Sequence, residues 1–181
     1  IFYEKLNLNK NVKFHYIEHH LSHIASAFYS SGFKIADGLS IDGSGDFVTL
    51  AISECRNNKI KIKEKINFPN SLGIFYHAMT QFLGFKNYGD EYKVMGLAAY
   101  GSPKYFDKIK DNLFKNNNKL IFELNLKYFN HHKNNFKYIA GESLIIDQIF
   151  NSNLIKLFSS ELDSIKNKDQ FNKDFASSVQ K

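Results

Sequence analysis

The sequence predicts a mixed fold, α/β overall and α+β locally, built as an antiparallel three-stranded meander with flanking helices. Three observations predict it. Short β-prone runs follow one another between residues 36 and 66, split by turn-forming residues. Apolar residues recur at helical spacing before and after those runs. The 181 residues are 43% apolar and 15% aromatic, enough to bury a core and too much for general disorder.

The elements follow in order. Residues 12–18 (Val-Lys-Phe-His-Tyr-Ile-Glu) are β-prone and read as a strand. Residues 19–30 read as a helix, because Leu21, Ile24, Ala25 and Phe28 form one apolar stripe. The meander comes next. Residues 36–42 alternate through Leu39 and Ile41, residues 47–53 are apolar and β-branched, and Ile60, Ile62 and Ile66 alternate with lysines to leave one wet face. Asp42-Gly43-Ser44-Gly45-Asp46 is the expected first turn and Arg56-Asn57-Asn58 the second.

Helical spacing resumes after Pro69-Asn70-Ser71 with Leu72, Phe75, Met79, Phe82 and Leu83. Residues 92–99 read as a short helix stopped by Gly101. Ser102-Pro103 supplies a cap and a first-turn proline for a third helix, with Phe106, Ile109 and Leu113 inward. Residues 115–140 show no clear period, and Asn116-Asn117-Asn118 and His131-His132 read as loops. Ile145, Ile146 and Ile149 mark another helix, and Phe171, Phe175 and Val179 the last.

Charge says little about partners. The net charge is +6, from 24 Lys+Arg against 18 Asp+Glu, but Arg56 is the sole arginine and the lysines are scattered. That pattern fits a solvated surface, whereas a nucleic-acid binder would gather its cations on one face. A purely basic binding module would also show steep salt dependence. One cysteine, Cys55, cannot form an internal disulfide, which favours a reducing, cytoplasmic setting. No apolar run is long enough for a membrane span. The start at Ile1 and the stop inside helical residues near Lys181 suggest a piece of a longer chain.

Three segments carry chemistry. In Glu18-His19-His20-Leu21-Ser22-His23, His19 and His23 lie about 40° apart on a helical wheel, close enough to share a metal. His20 points about 60–100° away from them. The plainer alternative is a polar, solvent-facing histidine cluster. A third ligand must come from elsewhere; His15 is one neighbour to consider. In the turn Asp42-Gly43-Ser44-Gly45-Asp46, glycine amides and the hydroxyls of Ser44 and Thr49 suit a phosphate, though a hairpin turn or a calcium loop is also compatible. In residues 88–101, Glu91 suits ribose hydroxyls, but acids at a helix start also serve as caps.

Together and in this order, three stretches with Phe68-Pro69-Asn70-Ser71-Leu72-Gly73 resemble the NodU/CmcH family of O-carbamoyltransferases. They are His19 to Phe28, Ile41 to Asp46, and Gly89 to Gly101. Phe175-Ala176-Ser177-Ser178-Val179-Gln180 is similar to the helix preceding that family's Gly-rich nucleotide segment. Ala99 stands where the family usually has proline. The resemblance implies an actin/Hsp70/sugar-kinase-like (ASKHA) domain over residues 1–181, truncated at both ends, without the C-terminal carbamoyl-phosphate domain. It implies metal ligands His19 and His23, joined by a downstream Asp beyond the chain, and a metal that is often iron. It implies phosphate or nucleotide contacts from Asp42, Gly43, Ser44, Gly45, Glu91 and Lys93, and His20 as an acid or base.

The implied reaction uses ATP, with Mg2+, and carbamoyl phosphate to carbamoylate a hydroxyl of a small acceptor through carbamoyl adenylate. The 181 residues alone are expected to be inactive, and the full-length protein is compatible with a homodimer. Two alternatives remain: a tRNA threonylcarbamoyl transferase-like enzyme, and a nucleotide- or metal-binding module without turnover.

Overall fold

The first helix, α1 (His19–Ser31), begins where the Glu18 carboxylate accepts the Leu21 N–H at 2.7 Å and ends at Gly32, whose φ of 75° is left-handed. In this computed structural model residues 5, 11–116, 120–133, 147–164 and 168–181 are described. The helix matches the span its apolar period predicts. Its most buried residues are His20, Ile24 and Phe28, at four-residue steps, while Leu21 and Ala25 are half-buried. A histidine thus takes the buried place expected for the polar face. Residues 12–18, expected as a strand, belong to no strand, and Tyr16 is 97% exposed. β-propensity becomes a strand only where a neighbouring ladder receives it, and the sheet draws its strands from elsewhere.

That sheet is the predicted meander: β1 (Ile35–Gly45), β2 (Val48–Arg56) and β3 (Lys59–Asn67), antiparallel in the order β1-β2-β3. The pairs Ala36↔Cys55, Gly38↔Ser53 and Ser40↔Ala51 set the β1–β2 register. Ile24 and Phe28 of α1 pack on Ala51 and Cys55, flanked by Ala36, Ile60 and Ile62. A Cβ at Gly38 would come 2.8 Å from Ile24, so glycine there lets the helix lie close. On β3 the lysines are exposed, as expected of a wet face, and they guard an edge strand against further pairing.

The first turn is shorter than predicted. It is the pair Asp46-Phe47, with φ of 51° and 65°, as a two-residue hairpin loop requires. Asp42 to Gly45 stay in β1, where the register shifts between Ile41 and Gly45.

The rest is mainly helical. α2 (Leu72–Phe82) is capped by Ser71, whose hydroxyl accepts the Ile74 N–H. α3 (Glu91–Ala98) and α4 (Phe106–Leu113) follow. Ser102 is not the cap of α4, which starts after Tyr105; its N–H is taken by Asp174 at 2.8 Å. A small hairpin of β4 (Phe114–Lys115) and β5 (Glu123–Leu124), then a 3-10 turn (Leu126–Tyr128), occupy part of a stretch expected as loop. Ile149 is not helical, and Phe150 beside it bridges to Phe129; Ile145 and Ile146 lie outside the described residues. α5 (Ser152–Leu157) and α6 (Ser159–Ser164) were not predicted, whereas α7 (Lys168–Gln180) was.

Phe129, Phe158, Phe175, Met79, Leu113, Leu124 and Leu154 are fully buried in a second, larger core between α2, α4 and α7. Among the described residues no helix is long and apolar enough to cross a membrane. The class is therefore mixed α and β with an antiparallel sheet, as predicted.

Candidate active site

The site is assembled by α1 lying across the end of β1. His19 and His23, one turn apart, present their Nε2 atoms 2.9 Å from each other. Asp42, near the end of β1, brings Oδ2 to 2.7 Å from His19 Nε2 and 3.5 Å from His23 Nε2. Among the described residues these three form the one such cluster of potential ligand atoms. Donors about 2.0–2.2 Å from a common cation lie about 2.8–3.6 Å from one another across octahedral and tetrahedral geometry. The observed spacings fall around that range, so the three side chains fit a divalent ion. Two imidazoles and one carboxylate suit iron(II) as well as zinc.

Asp42 therefore turns its carboxylate toward the two imidazoles, and among the described residues it is the candidate third ligand. Burial on its own would raise the Asp42 pKa. The His19 hydrogen bond, the Gly43 N–H at 2.6 Å and the nearby imidazole charges outweigh it, and the pKa falls below 3.8. The carboxylate is thus kept as the anion that a cation needs.

The glycines of the hairpin differ in purpose. A Cβ on Gly45 would stand 2.0 Å from the His19 ring, so this glycine makes room for a ligand. A Cβ on Gly73, in the first turn of α2, would stand 2.7 Å from the Gly43 nitrogen and 2.9 Å from the Asp42 carbonyl oxygen. Glycine there lets α2 close on the hairpin, and the Ser71 hydroxyl, donating to the Asp42 carbonyl at 3.0 Å, joins the same contact. Gly43 alone of the three faces open space.

His20 is buried with both ring nitrogens engaged. Val48 O accepts at 2.8 Å, so Nε2 carries the proton, and Nδ1 accepts from the Ser40 hydroxyl at 2.8 Å. In this arrangement neither nitrogen is offered to solvent. The ring ties α1 to β1 and β2 between the two potential ligands.

A cleft of ≈ 540 Å³ opens beside Asp42, Gly43 and Ser44 and is also lined by His77, Tyr88 and Glu91. The expected phosphate hairpin and the expected ribose residue thus share one cavity. Lys93 is not among the lining residues: its Nζ pairs with Asp90 at 2.6 Å and lies over the rings of Phe85 and Tyr92. Gly45 is buried behind His19 and does not line the cleft either.

Sequence reasoning missed two histidines of this cleft. His77 hydrogen-bonds Glu91 at 2.5 Å, and a histidine set among the apolar residues of α2 was its sole signal. His131, 3% exposed, donates Nε2–H to the Pro69 carbonyl at 2.8 Å. Burial lowers its pKa below 6.5, the more so beside His132, against the raising effect of the Pro69 bond, which leaves a neutral ring.

Comparison with known proteins places these residues in context. The family model for the carbamoyltransferase N-terminus matches residues 3–181. An uncharacterized protein of Synechocystis sp. is 46% identical over 114 residues, 63% of this chain and 18% of that protein. The nodulation protein NolNO of Sinorhizobium fredii is 42% identical over 88 residues, 49% of this chain and 13% of its own. The nodulation protein NolO of Bradyrhizobium diazoefficiens is 40% identical over 95 residues, 51% and 17% respectively. The matched stretches cover less than a fifth of each of these relatives.

Proposed function

This chain belongs to the carbamoyltransferase N-terminus family, and from that premise we propose that it carries the metal- and nucleotide-binding residues of an ATP-dependent O-carbamoyltransferase. The observation that supports this most directly is the convergence of His19, His23 and Asp42 at the edge of a cleft also lined by Gly43 and Glu91. An ASKHA-type fold is part of the same reading.

Each residue has a role in it. His19, His23 and Asp42 hold a divalent cation, iron(II) in our reading, with Mg2+ accompanying ATP. When bound, such a cation offsets negative charge gathered on phosphate oxygens. Ser44 offers its hydroxyl to a phosphate beside Gly43, the one hairpin glycine that leaves open space. Glu91 accepts from ribose hydroxyls. His20 keeps α1 seated so that both ligands reach Asp42. Lys93 is paired with Asp90, outside the cleft lining, two residues after Glu91.

The chemistry balances as three steps. Carbamoyl phosphate is hydrolysed in a separate site to carbamate and phosphate. Carbamate oxygen attacks the α-phosphorus of ATP, giving carbamoyl adenylate and pyrophosphate. The hydroxyl of a small acceptor attacks the carbamoyl carbon, AMP leaves with the bridging oxygen, and the hydroxyl proton passes to a base. Adenylation is needed because carbamate itself is a poor electrophile.

The test is pyrophosphate release by the full-length protein. It is expected to require carbamoyl phosphate and to place labelled carbamoyl on a hydroxylated small molecule. His19→Ala, His23→Ala and Asp42→Ala are each expected to lower metal content and stop release. Metal content unchanged in all three variants, or label found on tRNA instead, would refute the assignment.

A further inference from the structure

Glu91 reaches the cleft with its carboxylate already held from behind. Its Oε1 lies 2.5 Å from Nδ1 of His77, a residue of α2 that is 4% exposed. The far side of that imidazole is also fixed. Gln81, one turn further along α2, sets its side-chain nitrogen 3.4 Å from His77 Nε2. The Gln81 amide has a determined orientation, because its oxygen accepts the Ile149 N–H at 2.8 Å. Its NH2 therefore faces both the imidazole and the Asp147 carbonyl, 3.4 Å from each, and an N–H donor toward the ring requires a lone pair on Nε2. The ring proton of the neutral histidine then sits on Nδ1 and is donated to Glu91. One polarity runs from the backbone at residue 149 through Gln81 and His77 to the wall of the cleft.

A simple tether between α2 and α3 would not need a fixed tautomer. From this relay we propose that His77 is a positioning residue for Glu91, setting the carboxylate so that it accepts the vicinal hydroxyls of a nucleotide ribose. The inference rests on the nucleotide reading of the cleft given above. A carboxylate has about four lone-pair sites, so the one taken by His77 leaves others for two hydroxyls. A freely rotating carboxylate would have to be ordered by the ligand itself, at a cost to affinity.

The experiment compares dissociation constants of ATP and 2′-deoxyATP for the full-length protein and for its variants. The parent protein is expected to prefer ATP by about tenfold or more, the range of a hydrogen bond to a charged group. His77→Asn, whose amide nitrogen stands where Nδ1 does, is expected to keep that preference. His77→Gln, whose donor is carried one bond further out, is expected to lose most of it. Gln81→Leu, which removes the donor that fixes the tautomer, gives a second variant with the same expected loss. If His77→Gln and Gln81→Leu both retain the full preference, His77 is only a tether and this proposal is overturned while the nucleotide reading stands. If the parent protein shows no preference, or Glu91→Gln keeps it, the ribose assignment of Glu91 fails and the proposal falls with it.

Discussion

At the scale of single residues, the hairpin Asp42-Gly43-Ser44-Gly45-Asp46 shows how much one atom decides. Gly45 and Gly43 look interchangeable in the sequence, yet a Cβ on Gly45 would stand 2.0 Å from the His19 ring and one on Gly43 would meet nothing within 4 Å. Neither glycine needs a left-handed backbone, so the contrast is steric alone. Gly45→Ala is therefore expected to push His19 off the point it shares with His23 and Asp42. Metal binding should weaken about ten- to hundredfold, the usual penalty for disturbing a ligand's orientation. Gly43→Ala should retain the metal. Elemental analysis of both proteins checks this, and equal metal content would refute it. The histidine pair was legible because helical spacing is a local property. Asp42 as its partner was not, since the carboxylate comes from a strand 23 residues away, and the same type of residue also suits a turn or a phosphate loop. His77 facing Glu91 was hidden for the same reason.

At the scale of elements, α1 owes its position to a polar lock as much as to Ile24 and Phe28. His20 satisfies the Val48 carbonyl and the Ser40 hydroxyl inside the contact between helix and sheet. His20→Leu would take the imidazole partner from both buried groups, at about 1–3 kcal/mol each. The variant is expected to lose about 2–4 kcal/mol of stability in denaturant titration, and a loss under half a kilocalorie would remove His20 from this role. Elements with two or more turns of clean periodicity, α1, α2 and α7, were legible in advance, as was the alternating meander. The β4–β5 hairpin has two-residue strands and α5 and α6 have six residues each, too short for a period to show. Residues 12–18 carried β-propensity without joining the sheet, and Ser102 carried cap chemistry that Asp174 used for another purpose.

At the scale of the whole molecule, two ionisable groups of the larger core couple stability to acidity at separate pH values. Burial, aided by His132, holds the His131 pKa below 6.5 despite its bond to the Pro69 carbonyl. Below that value the unfolded chain binds a proton that the folded one refuses, so stability falls as pH drops from 6.5 toward the lower folded value. Asp174, 2% exposed, behaves as an acid with the same direction. Its burial alone would raise the pKa, but Lys104, the Ser102 N–H and Gln170 outweigh it and bring it below 3.8. Stability from this carboxylate is complete above 3.8 and is lost as pH falls through the folded value. The denaturation midpoint should thus descend in two steps. His131→Gln, whose amide nitrogen replaces Nε2–H toward Pro69, should shrink the upper step and leave a remainder from His132, whose pKa burial also lowers. Asp174→Asn should shrink the lower step and cost about 1–3 kcal/mol at neutral pH, a difference that closes once the parent carboxyl is protonated in the fold. Both variants leave His19, His23 and Asp42 untouched, so metal content should stay at the parent level. An upper step of unchanged size in His131→Gln would mean that the imidazole takes up its proton without leaving the folded state, and that the core around Pro69 is open to water.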